Sequence, residues 1–178
     1  MLRWDMSGFK KLFRRLDNSP QKDKAWTQIG AVYMAFLRRR FNRLSRGGGG
    51  SEWSPLAQST KRARFRKLSK AKQKKTTVDT GRYSILRDTS VLFNALGLGN
   101  SGSMNVLVRD GIRVGFNSYD VHTANDGMTI RKLAMIHDQG KGHNPERPII
   151  VEPDQNTGNR MKRILTAAFE DMGRASAV

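Results

Sequence analysis

The chain has 178 residues, no cysteine and a net charge of +18. The missing cysteine excludes disulfides, thiolate zinc sites and a cysteine nucleophile, and no stretch approaches the roughly 20 apolar residues that span a bilayer. Charge is unevenly placed: residues 1–75 hold 21 Lys/Arg against 4 Asp/Glu (+17), and residues 76–178 hold 12 against 11 (+1).

The first part is therefore built to meet something negative, nucleic acid or an acidic protein surface, and the second has the balance of an ordinary soluble domain. Apolar content of 37% is low enough that some of the length is expected in arms or linkers.

At the start, Met6, Phe9, Leu12, Phe13 and Leu16 share one face of a helix over residues 5–17. This segment is basic and amphipathic and lacks the apolar region of a secretory signal. It suits docking on its own protein better than lying on a membrane. Ser19 caps the next helix and Pro20 opens it, because proline lacks the N–H that stays unpaired there. Trp26, Ile29, Tyr33, Phe36, Phe41 and Leu44 carry that helix to about residue 45. Arg38, Arg39, Arg40 and Arg43 suit the negative end of its dipole.

"GGGGS" at 47–51 is a flexible breaker, consistent with an engineered linker and with a natural glycine loop. A second Ser-Pro start follows at Ser54 and Pro55. Then comes a run with nine bases and no acid: Lys61, Arg62, Arg64, Arg66, Lys67, Lys70, Lys72, Lys74 and Lys75. Its few apolar residues, Ala63, Phe65, Leu68 and Ala71, predict a segment that is helical when bound.

Further on, Asp88 caps a short helix with Val91, Leu92, Ala95 and Leu96 inward and Gly97 as its stop. "MNVLVRDGIRVGFNS" reads as a hairpin: Val106 and Val108 alternate, as do Ile112, Val114 and Phe116, with Asp110-Gly111 as the turn. Residues 128–137 read as a helix with Ile130, Leu133, Ala134 and His137 on one face, ended near Gly140. "RPIIVE" predicts a short buried strand, and "NTGNRMKRILTAAFEDMG" a closing helix with Met161, Ile164, Leu165, Ala168 and Met172 inward. The elements are thus helices, one hairpin and one short strand, with a basic helical N-terminal extension over 1–52.

The loop 135–153 invites a catalytic or metal reading through His137, Asp138, His143, Glu146, Glu152 and Asp154. His137 and His143 lie six apart with Gly140 and Gly142 between them, which does not fit ligands on one helix face. The carboxylates show no pattern beyond solvated surface acids. "GLGNSG" at 97–102 precedes a strand rather than a helix, against a dinucleotide cradle. No cofactor and no metal site is expected. The basic run favours a partner over a merely solvated face, with nucleic acid and acidic protein evenly matched.

Four segments, in order, resemble the virion morphogenesis, or tail-completion, family of tailed bacteriophages. "WSPLAQSTKRA" is similar to its Trp-x-Pro-Leu opening through Trp53, Pro55, Leu56 and Thr60. "ILRDTSVLFNAL" resembles its second segment through Leu86, Asp88 and Thr89, with Ser90 in place of a glycine and Ala95 in place of a serine. "LAMIHDQG" matches at His137 and Gly140, with Leu133 for a tyrosine, and "ERPIIV" matches at Arg147 and Pro148, with Ile149-Ile150 for Phe-Leu.

The resemblance spans residues 53–173 and leaves 1–52 outside, and it implies an α+β fold over 53–178, a small antiparallel sheet packed against helices. It implies a structural, non-catalytic protein of the virion neck or tail end, present in the host cytoplasm during assembly. It also implies a homo-oligomeric ring, a hexamer, contacting tail-tube or terminator and head–tail connector proteins, with no membrane. In that setting the basic run would grip an acidic connector or tail surface, or line the DNA passage of the neck. The alternatives are a nucleic-acid-binding protein using its basic first half and, third, an enzyme such as a nuclease.

Overall fold

The computed structural model describes residues 20–46, 52–78, 83–86, 90–109, 111–120, 127–142 and 144–175. The expected helix over 5–17, the Ser19 cap, the glycine run 47–51, Asp88, Thr89, Asp110 and His143 lie outside the described residues.

In chain order the elements are α1 (Pro20–Ser45), α2 (Gln58–Arg66), α3 (Lys70–Gln73), α4 (Val91–Ala95), β1 (Ser103–Val108), β2 (Gly111–Phe116), α5 (Ile130–Asp138) and α6 (Gln155–Ala175). They form the expected α+β fold, with one two-stranded antiparallel sheet packed against helices and a helical N-terminal part. Among the described residues no helix is long and apolar enough to cross a membrane.

Helix α1 is the spine. It supplies Trp26, Ile29, Val32, Tyr33, Met34, Phe36, Leu37, Phe41 and Leu44, nine of the twenty buried apolar residues that form the described core. These positions wrap much of its circumference, so neighbours must cover it on several sides: α6, both hairpin strands and α4 pack on it. The helix therefore packs on its own domain.

Gly30 permits the sheet's approach. A methyl group there would sit 2.5 Å from Asn105 Oδ1 and 2.6 Å from Ile112 Cδ1. A mid-helix glycine costs about 1 kcal/mol against alanine, and close helix–sheet contact is what it allows here.

Helices α4, α5 and α6 complete the core with Leu92, Ala95, Ile130, Ala134, Met161 and Leu165, as their periodicity predicts. Thr129 caps α5 by accepting from Lys132 N at 3.2 Å. Asp154 does the same for α6, accepting from Thr157 N at 2.8 Å. At the start of α4 the capping position is held by Ser90, in a left-handed conformation with no side-chain cap bond.

Three expectations are corrected. "RPIIVE" is not a strand: residues 147–152 carry no ladder pairing. Its polar backbone is met from the side, by His137, Asp138, Trp53, Arg40 and Tyr33, so burial is reached without a sheet neighbour. The second helix does not start at Ser54-Pro55 but at Gln58, after Ala57. The Ser54 and Pro55 carbonyls accept from Arg147 instead, which keeps them out of a helical ladder. Finally, Val108 pairs with Gly111, so the connecting pair is 109–110 and Gly111 belongs to β2. Ile112, Val114 and Phe116 face the core as expected, whereas Val106 and Val108 stand 53% and 37% exposed.

Candidate functional site

Two constellations follow from the sequence, the motif residues and the basic run. The structure gathers most of the motif residues around the irregular segment 147–151.

Trp53 is 1% exposed and meets Phe41 edge to face, with centroids 5.0 Å apart. Its indole Nε1–H donates to the Pro148 carbonyl at 3.1 Å. The same carbonyl accepts from Arg40 Nη1 at 2.6 Å, while Arg40 Nη2 pairs with Glu52. Arg147 is 4% exposed and donates to the Ser54 carbonyl through Nε (3.3 Å) and Nη2 (3.1 Å), and to the Pro55 carbonyl at 3.4 Å. Its backbone N–H donates to the His137 carbonyl at 2.7 Å, closing α5 onto the segment.

Gly140 makes that closure possible on two counts. Its φ of +62° is disfavoured for other residues, and a Cβ there would come within 2.9 Å of Glu146 N. Tyr33 adds a further tie, its hydroxyl donating to the Val151 carbonyl at 2.7 Å. Burial pushes this phenol up to about 12, opposed by nearby Arg40 and reinforced by Glu152.

These side chains bind backbone. His137 Nδ1 is buried without a hydrogen-bond partner, and burial, followed by the charge of Arg147, holds the imidazole below its ordinary value. Asp138 Oδ1 accepts from Ile149 N at 2.9 Å. Asp154 is engaged as a cap, and its hydrogen bonds with Thr157 hold it below the ordinary carboxylate value. Glu146 and Glu152 are exposed. Among the described residues no three His, Asp or Glu side chains are grouped to hold a metal ion. The other motif positions serve packing: Leu56 and Leu86 lie half-buried against the core, and Thr60 is half-buried on α2.

The basic run forms α2, a break at 67–69 and α3, and neither helix has a buried residue. The Gln73 side chain folds this pair together. Its amide donates to the carbonyls of Leu68 (2.7 Å), Phe65 (3.3 Å) and Arg66 (3.4 Å), at and just beyond the end of α2. Arg62, Arg66, Lys67, Lys70, Lys72, Lys74 and Lys75 are exposed. Lys61 and Arg64 are half-buried, and Arg64 Nη1 donates to the Ser84 carbonyl. Arg64 also lies close enough to Arg147 to lower its pKa further, after the larger effect of burial. Seven cations thus point outward from an arm rooted beside the motif cluster.

Arg40 and Tyr33 are the members of this cluster that the sequence reading missed as polar ties. A signal was present: Tyr33, Phe36, Leu37, Arg40, Phe41 and Leu44 fall on one helical stripe, which marks Arg40 as inward among its arginine neighbours. No family model matches the chain, and neither a curated protein nor a solved structure matches it.

Proposed function

We propose that the protein is a non-catalytic structural component of a tailed-phage neck or tail end, which assembles with copies of itself and attaches to an acidic partner through the α2–α3 arm. Its motif residues act as scaffold in this reading. Trp53, Arg147, Pro148, His137 and Gly140 tie one segment to α1 and α5 through bonds to backbone groups. The carrying observation is the arm: seven exposed cations without one acid between residues 61 and 75, in a segment whose two helices contribute nothing buried. A stretch that adds nothing to the core and concentrates one sign of charge fits contact with an oppositely charged surface.

Particles assembled with and without the protein test the reading. Normal-length tails that fail to join heads are expected for a joining role, and overlong tails for a terminator. Unaltered, infectious particles in its absence would sink it. Attachment should also weaken as salt is raised, since exposed charge contacts are screened within about 10 Å at 0.1 M.

The same arm favours a second reading, nucleic-acid binding. Duplex DNA gel shifts separate the two. Tight binding whose log affinity falls with log salt at about −0.9 per phosphate contact supports nucleic acid. Absence of a shift, with retention on an acidic protein surface, supports the first.

A further inference from the structure

The outer side of the β-hairpin departs from the chain's own pattern. In a protein with 33 Lys/Arg among 178 residues, strand β1 (SMNVLV) has no charge at all. Val106, Leu107 and Val108 are 53%, 41% and 37% exposed. Across the ladder, Met104 and Val108 face Gly115 and Gly111, so the outer face is flat and apolar over these two pairs, with the exposed Arg113 opposite Val106 between them.

The other edge of β1 is open, because the sheet has two strands among the described residues. Asn117 N donates to the Gly102 carbonyl, which fixes the alternation. Backbone groups of Gly102, Met104, Val106 and Val108 face β2, and those of Asn105 and Leu107 face the open edge. Natural proteins block such edges with charge, proline or a bulge. β1 has no charge and no proline, and its register runs without a bulge from Ser103 to Val108.

We propose that the open edge of β1 is a self-association surface, on which β1 of a second copy pairs antiparallel about Val106 to make a four-stranded sheet. Charge argues for a second copy as the occupant. Two chains of +18 repel across most of their surfaces, and β1 is a stretch where they meet without opposed cations. An acidic foreign strand would call for cations along the edge, and β1 offers none.

Centring the pair on Val106 sets Val106 against the second copy's Val106 and Met104 against its Val108. Asn105 and the second copy's Leu107 then exchange the backbone bonds that their open edges offer. Arg109 falls opposite the second copy's Ser103, beside Gly102, whose N–H donates to the Asp120 carboxylate. The pairing stands apart from the neck-protein reading: a two-fold contact joins two copies, and closing a ring needs a second, head-to-tail contact elsewhere.

The chain lacks cysteine, which gives a direct test. A non-hydrogen-bonded antiparallel pair places its Cα atoms about 4.5 Å apart, within disulfide reach. Full-length Val106→Cys should form a covalent dimer rapidly under mild oxidation. Arg113→Cys, one strand further from the joint, should not. In sedimentation equilibrium the unmodified chain should self-associate, and Leu107→Pro should weaken that association by at least about tenfold, since it removes an edge N–H that β2 does not use. Hydrogen exchange on the unmodified chain serves as a check that needs no variant: the Asn105 and Leu107 amides should slow as concentration rises. A monomer at every concentration, equal cross-linking at both cysteine positions, or exchange indifferent to concentration would each overturn the proposal.

Discussion

Arginine does opposite work in two neighbouring regions of this molecule. Around segment 147–151, Arg40 and Arg147 are buried and their guanidinium groups hold backbone carbonyls. In the α2–α3 arm, Arg62 and Arg66 reach solvent with five lysines around them. A buried cation is tolerated only when its donors are matched, so the first region is sensitive to single changes. The second depends on total charge, and any one of its members is dispensable. Burial of the position, not residue type, decides which role an arginine takes.

Substitutions sharpen this contrast, and the largest effect is expected in the buried region. Trp53→Ala should destabilise by about 3–5 kcal/mol, read from urea unfolding. Trp53→Phe keeps the ring contact with Phe41 and loses the bond to Pro148, for about 1 kcal/mol. Equal losses in the two variants would mean that the ring packing contributes nothing. Next comes Arg147→Met, expected to cost about 2 kcal/mol because the Ser54 and Pro55 carbonyls lose a charged donor. A neutral or stabilising result would place Arg147 in the arm's class instead.

Acid gives a smaller, directional effect. Burial and Arg147 hold His137 below its ordinary 6.5 in the folded chain, so the unfolded chain takes up a proton that the folded one resists. Stability from this group is full above pH 6.5 and falls as pH drops through and below that value. His137→Gln should flatten this part of the stability–pH curve; an unchanged slope would remove His137 as its source. The smallest effect on folding belongs to the arm. Changing Lys70, Lys72, Lys74 and Lys75 to Gln should leave unfolding within about 0.5 kcal/mol, yet abolish retention on an anionic partner surface. Loss of fold in that variant would break the comparison.

Much of this architecture was legible in the sequence, because periodicity reports a buried stripe wherever the partner lies. The inward faces of α1, α4, α5 and α6 followed from it. "RPIIVE" did not, since an apolar run records burial but not whether a ladder neighbour exists. Here Arg40, Trp53 and Tyr33 supply bonds that a strand would have supplied. The hairpin turn slipped by one residue because Asp-Gly is a strong local signal, whereas the register is set by packing of Ile112, Val114 and Phe116 against the core. Motif residues at 53–55, 137–140 and 147–148 came together in space, a convergence that spacing along the chain does not reveal.

The contact between α1 and α6 also bears on how the molecule is made. Residues 20–45 emerge from a ribosome more than a hundred positions before residues 155–175, which cover them. Until that late helix arrives, a broad aromatic and aliphatic flank waits uncovered beside a dense cationic stretch. Such long-range closure slows maturation and leaves nascent chains open to capture by chaperones or by anionic polymers in the cell.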